Sequence, residues 1–110
     1  MPSDELQFKL LRLLEEDPTR SQRALARELG VSIGGTNHAL RALLARGWVK
    51  AQNFTRSGNK RGYLYKLTPS GVSEKARLAY YFLQRKRAEH EALMAEIEQL
   101  RAEVRRQERD

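Results

Sequence analysis

The chain has 110 residues, of which 32% are charged and 40% belong to the apolar set AVILMFWYC, enough material for one small core and too little for two. Twenty-one Lys and Arg against fourteen Asp and Glu leave a formal charge of +7 and an isoelectric point near 10.1, which point to a polyanionic partner, nucleic acid ahead of an anionic membrane. The lack of cysteine excludes disulfides, thiolate nucleophiles and sulfur-built zinc sites. Neither the MPSDELQ start nor the longest apolar run, Leu78 to Leu83, reads as a signal peptide or a span of roughly 18 apolar residues, so a cytoplasmic, membrane-free protein is expected.

Leu6, Leu10, Leu13 and Leu14 recur at i, i+4, i+7 and i+8 behind Ser3-Asp4 and ahead of Pro18, predicting a first amphipathic helix. Phe8 and Leu11 lie off that stripe and imply a second buried face, against the tail helix or a partner subunit. A short second helix runs from a Ser21 cap to Gly30, which supplies the left-handed residue that ends it. Ser32 then caps a third helix reaching about Arg46, with Leu40, Leu43 and Leu44 inward and Gly47 as its stop. Two capped helices joined through a glycine turn suggest a helix-turn-helix.

Trp48 to Phe54 and Tyr63 to Leu67 alternate as strands around a polar turn, Thr55 to Arg61, so a β-hairpin follows, with cations and turn-formers together at its tip. Thr68-Pro69 opens a last helix to about Arg106, which at roughly 1.5 Å per residue measures about 57 Å. Its heptads set Ala76, Leu83, His90, Ile97 and Val104 at position a and Val72, Ala79, Lys86, Leu93, Leu100 and Gln107 at d. Residues 72 to 83, with Tyr80, Tyr81 and Phe82, read as packing back on their own domain. The stripe beyond residue 84 reads as covered by a second copy.

The charge divides the chain. Residues 18 to 66 hold ten Lys and Arg and one acid, Glu28, whereas nine bases and eight acids leave the stretch from residue 72 onward almost neutral. The first part faces an anion, the second a surface carrying both signs.

The stretch SQRALARELGVSIGGTNHALRALLARGWV, the hairpin and Leu67-Thr68-Pro69-Ser70-Gly71 together resemble the winged-helix transcription factors of the MarR type. The GWVK…NF stretch leading into the hairpin, followed by a long helix, is similar to the short EPS-associated MarR-like regulators found near exopolysaccharide gene clusters. The resemblance covers nearly the whole chain. It implies a mainly α fold with a small β-hairpin: a winged helix-turn-helix DNA-binding domain over residues 1–71 and a long C-terminal coiled-coil helix for dimerisation over 72–110. It also implies a dimeric transcriptional regulator that binds double-stranded DNA, with exopolysaccharide-type genes as targets. The chain departs from the usual MarR pattern in being shorter and ending in a charged heptad helix, and no small-molecule effector is evident.

By analogy with the helix-turn-helix register, Val31, Thr36, Leu40 and Leu43 turn inward. Ser32, Ile33, Gly34, Gly35, Asn37, His38 and Arg41 then form the face that reads DNA. Arg41 can bond guanine bidentately, Asn37 adenine, His38 a base acceptor or phosphate, and Ile33 a thymine methyl. Gly34-Gly35 costs roughly 1 kcal/mol each against alanine, which points to a close approach of backbone to a phosphate or groove wall. Ser21, Gln22 and Arg23 on the second helix and Arg56, Asn59, Lys60 and Arg61 on the wing complete the expected DNA-binding set. Taken singly, Arg41 reads equally as a solvated surface residue and His38 as a polar cap on the core; the set as a whole reads as a nucleic-acid face. Phe8, Leu11, Leu83, His90, Leu93, Ile97, Leu100 and Val104 form the expected dimerisation set.

His38 and His90 sit on separate helices without a nucleophile or suitably spaced carboxylate, so no enzyme activity, cofactor or metal is expected. The alternative function is a winged-helix adaptor that binds protein or RNA through its basic face and coiled coil.

Overall fold

Serines start the first three helices by the same local bond. The Oγ atoms of Ser3, Ser21 and Ser32 accept from the backbone N–H groups of Leu6, Ala24 and Gly35 at 3.1, 3.1 and 2.9 Å. Each bond satisfies a donor the helix itself leaves free, a contribution of about 1 kcal/mol. The computed structural model describes the backbone of residues 3–56 and 60–109, and their side chains except over 54–61. In chain order it has α1 (Asp4–Glu16), α2 (Gln22–Leu29), α3 (Ile33–Ala45), β1 (Val49–Arg56), β2 (Lys60–Leu67) and α4 (Pro69–Arg109). Gly30 and Gly47, at φ of +71° and +72°, reverse the chain after α2 and α3, a conformation that costs a side-chain-bearing residue energy.

The core is a leucine cluster. Leu10, Leu11 and Leu14 of α1, Leu25 of α2, Leu40 and Leu43 of α3, and Leu78 of α4 are buried to 1% exposure or less. Each contributes roughly 1.5 to 3 kcal/mol by leaving water. The buried Thr36 hydroxyl donates to the Ser32 carbonyl at 3.0 Å, so its burial leaves no orphaned donor.

The strands pair antiparallel from Val49 opposite Leu67 to Arg56 opposite Lys60, so they close on a shorter connection than the expected Thr55–Arg61 turn. The far edge of β2 is partly covered, because Tyr65 N–H donates to the Pro18 carbonyl between α1 and α2 at 3.1 Å.

Three expectations are corrected. Phe8 and Leu11, at 9% and 0% exposure, are covered within the chain where α1 meets α2, α3 and β2, and the Arg12 guanidinium lies 4.5 Å over the Phe8 ring. Neither needs a partner subunit for cover. Val31 is not inward but 36% exposed. Tyr80, Tyr81 and Leu83 remain exposed and Phe82 is half-buried, so the last fully buried side chain of α4 is Leu78.

The start of α4 is fixed to the turn after α3. Thr68 N–H donates to the Trp48 carbonyl at 3.0 Å, the Thr68 and Ser70 hydroxyls donate to the Gly47 carbonyl at 2.6 and 3.0 Å, and Thr68 Oγ1 accepts from Gly71 N–H at 3.1 Å. Helix and turn approach so closely that a Cβ on Gly71 would lie 1.9 Å from the Trp48 carbonyl oxygen. An ion pair between Lys75 and Glu15 adds a contact between α4 and α1. Compactness divides the chain into two units, residues 1–78 and 79–110.

Candidate nucleic-acid interface

The inward residues of α3 determine which side chains remain outside. Thr36, Ala39, Leu40 and Leu43 are buried, and Ile33, Gly34, His38 and Arg41 are exposed. Positions 34, 38 and 41 follow one another at i, i+4 and i+7 and so share one face. Asn37 is half-buried and its Nδ2 donates to Gln22 Oε1 at 3.3 Å, a bond that ties α3 to the start of α2 and orients the Asn37 amide. One Nδ2 hydrogen and Oδ1 remain for another partner. Ser21 and Ser32 are committed as caps, but each hydroxyl retains its proton and can donate outward.

The two glycines differ. A Cβ on Gly35 would press on Ser32 Oγ at 3.2 Å, whereas one on Gly34 would meet nothing nearer than that atom at 3.9 Å, an ordinary contact. Among the described residues, nothing therefore accounts for glycine at position 34.

The unpaired cations of the first unit gather where acid is scarce: its ion pairs Lys9–Glu5, Lys75–Glu15 and Arg77–Glu74 lie outside residues 18–66, and Arg20–Glu16 takes its acid from α1. Among the described residues, Arg23, Arg27, Arg41, Lys50 and Lys66 are exposed and make no ion pair. In the second unit, Lys86 pairs with Glu89 at 3.2 Å and Arg101 and Arg105 pair with Glu98 at 4.0 and 3.4 Å. Lys50 stands directly across from Lys66 in the hairpin, a like-charge cross-strand pair that costs stability in the free protein. Lys50, Lys66 and Arg27 lie outside the set the sequence predicts; strand register is the signal that identifies the lysines. Arg20, by contrast, is used internally, donating from Nη1 to the Leu13 carbonyl at 2.9 Å.

Of the wing residues, Arg56, Lys60 and Arg61 lie on the paired strands, Arg56 opposite Lys60, while their side chains and the whole of Asn59 fall outside the described residues. On α4, Leu83, His90, Leu93, Leu100 and Val104 are exposed and Ile97 is half-buried. Among the described residues, no cluster of three or more His, Asp or Glu side chains could hold a metal, and no helix is long and apolar enough to cross a membrane.

Residues 3–50 match the family of winged helix-turn-helix DNA-binding domains. No curated protein matches the sequence. Among solved structures, the transcriptional regulator BldR from Sulfolobus solfataricus is 25% identical, with a TM-score of 0.61 over 73% of this chain and 55% of that one. Wild-type MarR from E. coli in its apo form is 29% identical, with a TM-score of 0.53 over 66% of this chain and 52% of that one. A DNA-binding protein from Sulfolobus solfataricus, Sso10a-2, is 17% identical, with a TM-score of 0.61 over 80% and 85% of the two chains. The chain spans about half the length of the MarR structures it matches.

Proposed function

We propose that this chain, a winged helix-turn-helix protein of the MarR type, is a DNA-binding transcriptional regulator that acts as a homodimer through its C-terminal helix. The observation that carries this reading is the set of exposed, unpaired cations Arg23, Arg27, Arg41, Lys50 and Lys66, gathered in a stretch, residues 18–66, whose single acid is Glu28. A polyanion relieves the Lys50–Lys66 repulsion and supplies the counter-charges. The division of labour follows the expected domains, with DNA bound by residues 1–71 and the second copy by 72–110.

In this reading α3 enters the major groove. Arg41 bonds a guanine edge bidentately. Asn37, oriented by Gln22, offers its free N–H and carbonyl to adenine, and the exposed Ile33 side chain covers a thymine methyl. Ser21, Ser32, Arg23 and the wing hold phosphates and set the register. A two-fold dimer calls for an inverted repeat with half-sites about 34 Å apart. The resemblance in the stretch leading to the wing makes exopolysaccharide-type promoters the first place to seek it.

Titrating duplex DNA at several salt concentrations tests the reading. Binding is expected to weaken steeply with salt, and replacing Arg56, Lys60 and Arg61 by alanine to flatten the slope by up to about three units on every sequence. Arg41→Ala is expected to lose roughly 1 to 3 kcal/mol on the preferred site and much less on random duplex. No affinity for duplex would favour the adaptor function instead.

Gly34 gives a second, independent check. Gly34→Ala gains roughly 1 kcal/mol of helix propensity in a space that accepts a methyl group, so the urea midpoint rises. Duplex affinity falls, because the methyl group holds α3 away from the DNA. A stabilised variant with unaltered affinity would remove Gly34 from the interface.

A further inference from the structure

We infer that the outer face of the β1–β2 hairpin, with Lys50 and Lys66 at its base, binds the phosphates of duplex DNA flanking the stretch that α3 occupies. The inference rests on the DNA-binding reading above and adds a second contact to it, on a different face of the winged unit.

Strand register sorts the hairpin by face. Successive residues of a strand alternate sides, so the directly paired Val49 and Leu67 lie on one face and Lys50 and Lys66 on the other. Val49 is 3% exposed in the core, and α3 packs against β1 and α1 against β2, which identifies the first face as the inner one. Lys50 and Lys66 are exposed and point away from the helices. The same alternation puts positions 56 and 60, Arg56 directly opposite Lys60, on the outer face as well. Of the five cations in the two strands, Arg61 alone falls at an inner position.

This sorting costs stability in the free protein. Like charges directly opposite one another destabilise a ladder, and the outer face carries such a pair at each end. No Asp or Glu occurs between Glu28 and Glu74, so neither strand offers a counter-charge. Surface charge that serves solubility alone mixes both signs, whereas this face carries one. Lys50 and Arg56 stand six residues apart, about 20 Å at roughly 3.3 Å per residue, close to the axial rise of six base pairs. A phosphodiester backbone supplies negative charge at regular intervals over that length.

The flank of the bound duplex is the occupant within reach. Only Arg46, Gly47 and Trp48 separate the end of α3 from β1, and the Tyr65 N–H bond to the Pro18 carbonyl ties β2 to the turn before α2. Hairpin and reading helix therefore belong to one compact unit, residues 1–78. Once α3 is seated, DNA beyond its site meets the hairpin intramolecularly. A second duplex would have to be captured from solution at the cost of its own freedom. Because the outer face is turned away from α3, it meets phosphates that α3 does not.

Duplex length separates the two contacts. Full-length Lys50→Gln/Lys66→Gln is titrated at several salt concentrations with random-sequence duplexes, one of about two helical turns, which holds both half-sites of a dimer, and one of about four turns, which adds flanks. On the long duplex the salt slope is expected to fall below wild type by about two units per protomer, and on the short one to stay unchanged. Lys50→Arg/Lys66→Arg, which keeps the charge, is expected to keep the wild-type slope on both. The urea midpoint of the glutamine variant is expected to rise as the cross-strand repulsion is removed, so that lost binding is not lost folding. Wild-type slopes on both lengths from the glutamine variant overturn the outer face and leave DNA binding through α3 standing. Equal losses on the two lengths place both lysines on the stretch that α3 occupies, which overturns the flank. Pairs of differently labelled short duplexes that the wild type brings together and the glutamine variant does not would give the face to a second duplex instead. A wild-type chain that binds neither duplex overturns the DNA-binding reading itself.

Discussion

Gly71→Ala is expected to be the most damaging single substitution in the winged unit. The added Cβ would lie 1.9 Å from the Trp48 carbonyl oxygen and 2.8 Å from its carbon, both backbone atoms that no rotamer change can move aside. Relief requires α4 to lift from the turn. That motion stretches the bond from Thr68 N–H to the Trp48 carbonyl and the two hydroxyl bonds to the Gly47 carbonyl, each a net contribution of about 1 kcal/mol. It also loosens Leu78, which is fully buried on the same helix. Overpacking of about 1 to 3 kcal/mol added to lost bonds brings the expected cost to about 4 kcal/mol or more, a large share of the 5 to 15 kcal/mol typical of whole domains. Urea denaturation followed by circular dichroism reads this directly. Ser70→Ala is the matched control: it removes one of the hydroxyl bonds to the Gly47 carbonyl, introduces no clash, and should cost about 1 kcal/mol. Equal midpoints for the two variants would mean that the helix start gives way easily.

Gly71 also marks what was legible in the sequence. Leu67-Thr68-Pro69-Ser70-Gly71 is readable as a helix start because cap and N1 chemistry are local. Its second role, holding that start against Gly47 and Trp48, depends on a contact between residues some twenty positions apart, which no local pattern encodes. The same distinction runs through the fold. Ser3, Ser21 and Ser32 are identifiable as caps, and Gly30 and Gly47 as stops, from their neighbours alone. Phe8 and Leu11 were misassigned because a stripe drawn through Leu6, Leu10 and Leu14 has a fixed width, whereas α1 is enclosed by α2, α3 and β2 and buries a broader arc. Val31 sits in the turn between α2 and α3, where helical periodicity does not operate, so the register analogy that sets it inward fails there. At the candidate interface, the outward positions of α3 followed from period. The Asn37–Gln22 bond and the facing Lys50 and Lys66 required tertiary packing and strand register to become visible.

Removing the residues after Gln84 is expected to abolish dimerisation while leaving the winged unit folded. The last fully buried side chain of that unit is Leu78, so a chain ending at Gln84 keeps every core leucine together with the contacts of Thr68, Ser70 and Lys75. It loses Leu93, Ile97, Leu100 and Val104, each worth roughly 1.5 to 3 kcal/mol when taken fully out of water and about half that from their present exposure. Two helices contribute the set twice, about 6 to 12 kcal/mol in all, and association costs at least about 4 kcal/mol in lost freedom, so the intact chain is expected to dimerise between about millimolar and micromolar concentration. The consequence for DNA follows from linkage: when two reading helices are joined, the second half-site is bound intramolecularly. Separating them is expected to lower affinity for an inverted repeat by ~100-fold or more. Affinity for a single half-site should change little, because Arg23, Arg27, Arg41, Lys50 and Lys66 all remain in the shortened chain. Sedimentation of the two chains at matched concentrations from micromolar to millimolar, with binding measured on whole and half operators, separates these effects. A full chain that sediments as a monomer, or a shortened one that stays fully dimeric, would show that the tail is not the dimerisation element.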